Sequence, residues 1–308
     1  MKKNNIKGTL ILTLTALIWG LAFVAQSEAA DKLPPFSVTA LRSFIAAAVL
    51  FAVYKITATD PRKRLIPKDK TERKTVIKGG ILCGVFLALS ANLQQAGIGL
   101  YPDGVAAEAR AGFLTALYVV FVPLISVFFI KKIHPVIWGA VFIAAFGVYL
   151  LCFEGGFSKI YLGDILLLCC GVSYSLHIIV IDRFCDPLGG VRLSCLQFSV
   201  CGILSALLAV IFENGSFHIS SAVSAAPQIL YLAVMSSGIA YTLQIIGQRY
   251  AEPAVASVTM SLESVFAALG GWIILKNDLS FKEICGCILV FAAIITAQIP
   301  EFLKPKKS

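Results

Sequence analysis

The sequence predicts an all-α integral membrane protein: ten transmembrane helices arranged as two inverted five-helix repeats. Three observations predict it. Apolar runs of helix length follow one another along almost the whole 308-residue chain. Lys and Arg gather in alternate connections between those runs. Short motifs of the first half return in the second half, in the same order, 147–150 residues later.

The runs at 8–27, 79–102, 111–130, 135–153, 165–181 and 193–212 are almost free of charge. Arg249 ends a further run that begins near Ile219. A bilayer requires about 20 apolar residues per spanning helix. Composition agrees, with 58% hydrophobic and 14% charged residues and a mean hydropathy of +0.86. Globular domains carry about 25% charged residues. The net charge of +9 belongs to basic loops rather than to a nucleic-acid surface, and no nucleic-acid partner is expected.

The helices are expected at 8–28, 36–55, 77–99, 105–130, 135–153, 163–182, 192–212, 228–248, 254–275 and 282–299. Lys2 and Lys3 precede the first run and small residues follow it near Ala29, as in a signal peptide. It is long for one, and it is read as a retained helix. Turn chemistry separates the rest: Pro34-Pro35, Pro102-Asp103-Gly104, Pro187-Leu188-Gly189-Gly190 and Glu252-Pro253. Residues 55–78 form a hydrophilic loop with nine basic residues. Placing both termini in the cytoplasm puts 20 of the 26 Lys and Arg inside and 4 outside, with Arg42 and Arg110 within helices. Cytoplasmic loops accumulate such residues, so the expected site is the plasma (inner) membrane, crossed many times, with both termini inside.

Leu93-Gln94-x-x-Gly97 recurs as Leu243-Gln244-x-x-Gly247. Gly104-Val105-Ala106-Ala107 is answered by Pro253-Ala254-Val255-Ala256, and Trp138-Gly139 by Cys285-Gly286. Shared order and spacing mark a repeat, divided as residues 1–156 and 157–308. Five helices per copy invert the second copy in the membrane. Inverted repeats mark secondary transporters, with the substrate near the midplane between copies. Gln94 and Gln244 each lie about 24 Å along their helices, from opposite faces, and so are expected at mirrored depths.

A set of motifs resembles the EamA-type members of the drug/metabolite transporter superfamily. Ala16-Leu17-Ile18-Trp19-Gly20, Ala40-Leu41-Arg42, Leu93-Gln94-Gln95-Ala96-Gly97, Ala111-Gly112-Phe113-Leu114-Thr115 and Val122-Pro123 carry the likeness in the first half. Ser236-Ser237-Gly238-Ile239-Ala240-Tyr241 and Ser261-Leu262-Glu263-Ser264-Val265-Phe266 carry it in the second. The resemblance implies ten helices in two inverted halves around a central cavity, and movement of small metabolites, often export of amino acids or their derivatives. Family members often carry Gly-Glu at one end of the fourth and ninth helices. Here those places read Ile130-Lys131 and Lys276-Asn277.

The candidate cavity residues are Trp19, Gln94, His177, Tyr241, Gln244 and Glu263. Glu263 lies about 15 Å along its helix from Pro253, near the bilayer centre. A carboxylate there is costly and should face protein or a water-filled cavity. It is read either as a proton-coupling or substrate-amine site, or as a strut bonded to a neighbouring helix. Ser237, Tyr241, Gln244 and Gln248 share one helix face. Such a stripe lines a cavity or a helix contact. Trp19 is too deep for an interfacial belt. His177 follows Ser173 by one turn and is either a packing histidine or a proton relay. Arg42 is expected to snorkel to the external surface. Arg110 has Glu108 nearby in sequence but on another face.

Metal, cofactor and catalytic signatures are not found. The nine cysteines form no CxxC pair, and P-loop, H-E-x-x-H, G-x-S-x-G and G-x-G-x-x-G motifs do not occur in a supporting context. No cofactor is expected. No basic cluster stands at midplane depth, against phosphorylated substrates. The expected function is a secondary transporter, with a small-molecule substrate, a lipid bilayer and H+ as the candidate partners. A membrane-embedded transferase and a non-transporting assembly or signalling protein are the alternatives.

Overall fold

The computed structural model describes residues 5–57, 64–102, 105, 107–129, 133–152, 160–275 and 280–302. Among them every regular element is a helix. In chain order these are α1 (Asn5–Ala30), α2 (Pro35–Thr57), α3 (Lys70–Ile98), α4 (Ala107–Ala116), α5 (Tyr118–Phe129), α6 (Pro135–Cys152), α7 (Leu162–Leu188) and α8 (Gly190–Phe212). After them come two short helices, α9 (Ile219–Ser224) and α10 (Ala226–Tyr231). A π-helical segment, Leu232–Ala240, then joins α10 to α11 (Tyr241–Gln248). Last come α12 (Pro253–Met260), α13 (Leu262–Leu275) and α14 (Phe281–Phe302).

Eight helical stretches among the described residues are long and apolar enough to cross a membrane: Ile6–Ala30, Pro35–Thr57, Lys70–Ile98, Arg110–Phe128, Leu162–Asp186, Gly190–Phe212, Ala226–Gln248 and Phe281–Pro300. Two further apolar stretches, Pro135–Leu150 and Pro253–Leu269, are shorter. The outer faces are apolar as well: Phe128 is 85% exposed, Phe142 75% and Ile295 70%. A water-soluble surface rarely carries apolar patches on this scale. The chain is a multi-pass membrane protein.

Two of the expected helices are not continuous. The fourth breaks at Leu117, between α4 and α5, ahead of Pro123. Pro123 has no N–H to donate to Val119. The ninth breaks at Ser261, between α12 and α13, and the Ser261 hydroxyl bonds back to the Val258 carbonyl at 2.7 Å. Such back-bonding competes with the helical ladder. Gly189 closes α7 at φ 75°, a left-handed conformation that favours glycine.

The helices pair in a definite pattern: α2 with α8, α3 with α7, α6 with α14, and α1 with α11, α12 and α13, while α7 packs on α4 and α5. Small residues permit the closest approaches. A Cβ built on Gly97 would stand 2.9 Å from Leu167 Cγ and 3.2 Å from the Gly163 carbonyl. One on Gly247 would stand 2.7 Å from Leu12 Cγ and 3.4 Å from the Gly8 carbonyl. The interior where α1, α4, α5, α7, α12 and α13 converge is packed by residues such as Leu12, Ala16, Ala111, Leu114, Val119, Val255 and Val265.

Several expectations fall outside the described residues: the Asp103-Gly104 turn, the Ile130-Lys131 and Lys276-Asn277 positions, and the 156/157 boundary.

Candidate functional site

A cavity of about 40 Å³ opens in the middle of this interior. Its walls come from both halves of the chain. Trp19, Ala22, Phe23 and Gln26 of α1, Arg42 of α2 and Gln94 of α3 form one side. Thr115 and Tyr118 straddle the break at Leu117, and Met260 and Glu263 straddle the break at Ser261. Tyr174 and Ile178 of α7, Ser236 of the π-helical segment, and Tyr241 and Gln244 of α11 complete the lining.

Five of the six candidate residues thus stand together: Trp19, Gln94, Tyr241, Gln244 and Glu263. The sixth, His177, is fully buried one layer behind. Its Nε2 pairs with Gln197 Oε1 at 3.1 Å, and its ring meets Tyr241 edge-on at 6.0 Å between centroids. It is not part of the lining. Of the polar stripe, Ser237 takes a bond from Arg42. Gln248 Nε2 donates to the Ile178 carbonyl at 2.8 Å, a helix contact.

The polar groups of the wall are sparsely paired. Tyr118 donates its hydroxyl to Glu263 Oε1 at 2.8 Å. Gln94 Nε2 donates to Thr115 Oγ1 at 3.3 Å, and the Tyr241 hydroxyl to that of Tyr174 at 3.0 Å. The buried Gln244 Oε1 has no hydrogen-bond partner within the protein. Trp19 stacks at a tilt on Tyr241, with centroids 4.7 Å apart, and its Nε1 donates to the Ser236 carbonyl at 3.3 Å. That carbonyl lies in the π-helical segment, whose altered ladder re-aims backbone groups. Such segments recur at functional sites.

Arg42 corrects the snorkelling expectation. Its side chain is buried and turns into the bundle. Nε donates to Ser237 Oγ at 3.1 Å, Nη1 to Gln26 Oε1 at 3.3 Å and Nη2 to Ser236 Oγ at 3.4 Å. The helix face decided the outcome, not the depth: Val38 and Ala46 flank Arg42 on the buried side of α2, whereas Phe44 and Phe51 point outward. Sequence reasoning missed Arg42, Gln26, Thr115, Tyr118, Tyr174 and Ser236 as wall residues. For Arg42 the signal was present, because a charge within a membrane helix is by default a functional one.

A second cavity, of about 390 Å³, lies at the turn between α1 and α2 and is lined by residues 30–35 with Gln95, Ala96, Gly99 and Leu100. Gln95 of its lining donates its Nε2 to the carbonyl of Gln26, whose residue lines the inner cavity, at 3.0 Å. Nearby, Arg110 finds its partner in Asp164 (Nε to Oδ1 3.0 Å, Nη2 to Oδ2 3.2 Å), with the Tyr101 hydroxyl donating to the same carboxylate at 2.6 Å. Burial, and then the Asp164 hydrogen bond, push the Tyr101 phenol above its ordinary value. It remains a donor at neutral pH. Among the described residues, no group of three His, Cys, Asp or Glu side chains is placed to hold a metal.

Comparison with known proteins fits this architecture. A solved structure described only as a crystal structure of a protein superposes with a TM-score of 0.75 over 96% of this chain and 98% of its own, at 21% identity. That is a likeness of fold. An uncharacterized transporter of Archaeoglobus fulgidus is 29% identical over 289 residues, 94% of this chain and 84% of that protein. The EamA-like transporter family matches residues 6–153 and again residues 161–297. The chain belongs to the EamA-like transporter family and is a membrane transporter.

Proposed function

We propose that the protein is a secondary transporter that exports a small polar metabolite, an amino acid or related compound, across the plasma membrane by alternating access. The observation that carries this is a partly open cavity, lined by apolar surface and by polar side chains from both halves of the chain, beside the one-residue interruptions at Leu117 and Ser261. Discontinuous helices at the midplane are a recurring way to build a transporter's substrate site. The two successive family matches and the helix pairing support two inverted repeats, 1–156 and 157–308. Contacts of α3 with α7 and of α1 with α11 then correspond, as do those of α7 with α4 and α5 and of α1 with α12 and α13. On this reading the two shorter apolar stretches also span, giving ten crossings with both termini in the cytoplasm. Reporter fusions after residue 66 and at the C-terminus should both read cytoplasmic. An external signal from either overturns the topology.

A cavity of about 40 Å³ holds only a few waters, each needing about 10–15 Å³ on this measure. A metabolite requires the helices to part. The 390 Å³ vestibule at the α1–α2 turn lies at the end assigned to the outside. The proposed path runs from it through the Gln26–Gln95 contact. Trp19, Gln94, Tyr241 and Gln244 are assigned to substrate contact, and His177 to support of Tyr241.

Glu263 is assigned to proton coupling. The titratable and charged groups around the cavity are Tyr118, Tyr174, Tyr241 and Arg42. Among the described residues only Tyr118 bonds the carboxyl, which leaves its second oxygen for a proton or a substrate cation. Metabolite profiling of cells and medium, with and without the protein, tests the function. A metabolite enriched in the medium of expressing cells supports export, and unchanged profiles refute it.

A further inference from the structure

Arg42 is a buried cation that pairs with no carboxylate among the described residues. Its three hydrogen-bond partners, Ser237, Gln26 and Ser236, are all neutral. The ion pairs among the described residues, Arg110–Asp164, Arg192–Glu72 and Arg249–Asp186, do not include it. A guanidinium is always charged and is expensive to hold away from water without an opposing charge. It carries five N–H donors, and the three contacts use one on each nitrogen. Two N–H groups, one on each terminal nitrogen, are left for a ligand, and a carboxylate is the anion that a guanidinium pairs with best. The side chain lines the cavity beside two of its three partners, Gln26 and Ser236.

The rest of the wall suits the same ligand. Glu263 and the unpartnered Gln244 Oε1 offer acceptors on other helices. Trp19, Phe23, Ile178 and Met260 offer apolar surface. A single guanidinium with no second cation in the lining fits a monovalent planar anion, not a phosphate ester.

We propose that Arg42 is the anchor for a carboxylate group of the transported molecule and so selects small organic carboxylates. This rests on the transport reading above and adds the residue that recognises the acid group of the substrate.

The test uses the purified full-length protein in detergent and follows its melting temperature. The probes are L-amino acids, linear monocarboxylates from acetate to hexanoate, and the carboxamide of each. A carboxamide keeps the shape and loses the charge. At least one carboxylate should stabilise the wild type in a concentration-dependent way, with its carboxamide at least tenfold weaker. Arg42→Gln should weaken that carboxylate tenfold or more while its gel-filtration profile stays monodisperse. Arg42→Lys, which keeps the charge without the guanidinium, should fall between them. If Arg42→Gln does not yield monodisperse protein, Arg42→Lys against wild type carries the test. The proposal is overturned if no carboxylate stabilises the wild type, if the carboxamides act as well, or if the variants bind as tightly as the wild type. Secondary transport itself is left standing by any of these, because metabolite profiling tests it without reference to Arg42; the absence of any stabilising carboxylate would, however, count against an amino acid as the substrate.

Discussion

The two halves of the chain are alike where backbones touch and unlike where the cavity is. Gly97 of α3 closes on Gly163 and Leu167 of α7, and Gly247 of α11 closes on Gly8 and Leu12 of α1. Gly171 of α7 approaches the carbonyls of Leu114 and Thr115, and Gly20 of α1 approaches the carbonyl of Glu263. Each contact of the first kind has a partner of the same kind across the molecule. The cavity has no such balance. Beside the second break stands the acid Glu263, and beside the first stand the neutral Thr115 and Tyr118. The one cation in the wall, Arg42, comes from the first half. Close packing tolerates duplication because it needs only small side chains. A site for an asymmetric molecule needs different groups on its two sides.

The first way to break this comparison is at a glycine. A Cβ on Gly20 would lie 2.6 Å from the Glu263 carbonyl and 2.7 Å from Phe266 Cβ. The obstacle includes backbone, so the neighbour cannot rotate away. Overpacking costs about 1–3 kcal/mol and more where the backbone must shift. Gly20→Val should abolish monodisperse protein in fluorescence-detected gel filtration. Gly171→Ala, whose Cβ would stand 3.0 Å from the Leu114 carbonyl, should reduce the yield less. Equal yields for both would mean that the closeness of these two approaches does not set how much the fold depends on them.

The second way is at the acid. Glu263→Gln keeps the volume and can still accept from Tyr118, so the protein should fold. Transport in proteoliposomes should fall about tenfold at the wild-type optimum, equivalent to about 1.4 kcal/mol, and lose its pH dependence. An unchanged rate and pH profile in a folded variant would reduce Glu263 to a packing strut. Tyr118→Phe removes the donor and leaves the acid. It should shift the pH profile and lower the rate by about threefold, within the roughly 0.5–1.5 kcal/mol of one hydrogen bond. A pH profile identical to wild type would mean that this bond does not tune the acid.

The scaffold was more legible than the site, for a physical reason. Lipid forces each spanning segment to be apolar and internally hydrogen-bonded, so α1, α2, α3, α7 and α8 begin and end within a few residues of their expected places, apart from the longer start of α3 and end of α7. The two breaks and the π-helical segment left no apolar signature, because a broken helix in the bundle interior is as apolar as a whole one. Glu263, Gln94, Gln244, Tyr241 and Trp19 could be singled out because polar or bulky groups at depth are costly anywhere but inside. Arg42 was misread because sequence gives depth more readily than azimuth. Asp164, the partner of Arg110, lies 54 residues away, a separation that no local periodicity encodes.

The mildest test uses a second buried glutamate against the first. Glu213 follows α8 and reaches across to the start of α2, where it accepts from the Phe36 N–H at 2.6 Å, the Ser37 N–H at 2.9 Å and the Ser37 hydroxyl at 2.6 Å. These N–H groups are among those a helix start leaves without intrahelical partners. A carboxylate there also meets the positive end of the helix dipole. Glu213 is thus held by three donors at the rim, whereas Glu263 is held by one in the cavity. Glu213→Gln keeps one acceptor oxygen, puts an NH2 donor in place of the other and loses the charge. It should cost about 1–3 kcal/mol of stability, read as a drop in melting temperature. Ligand affinity and the pH profile of transport should not move. If Glu213→Gln altered the pH profile as Glu263→Gln is expected to, the division between a scaffold acid and a cavity acid would fail.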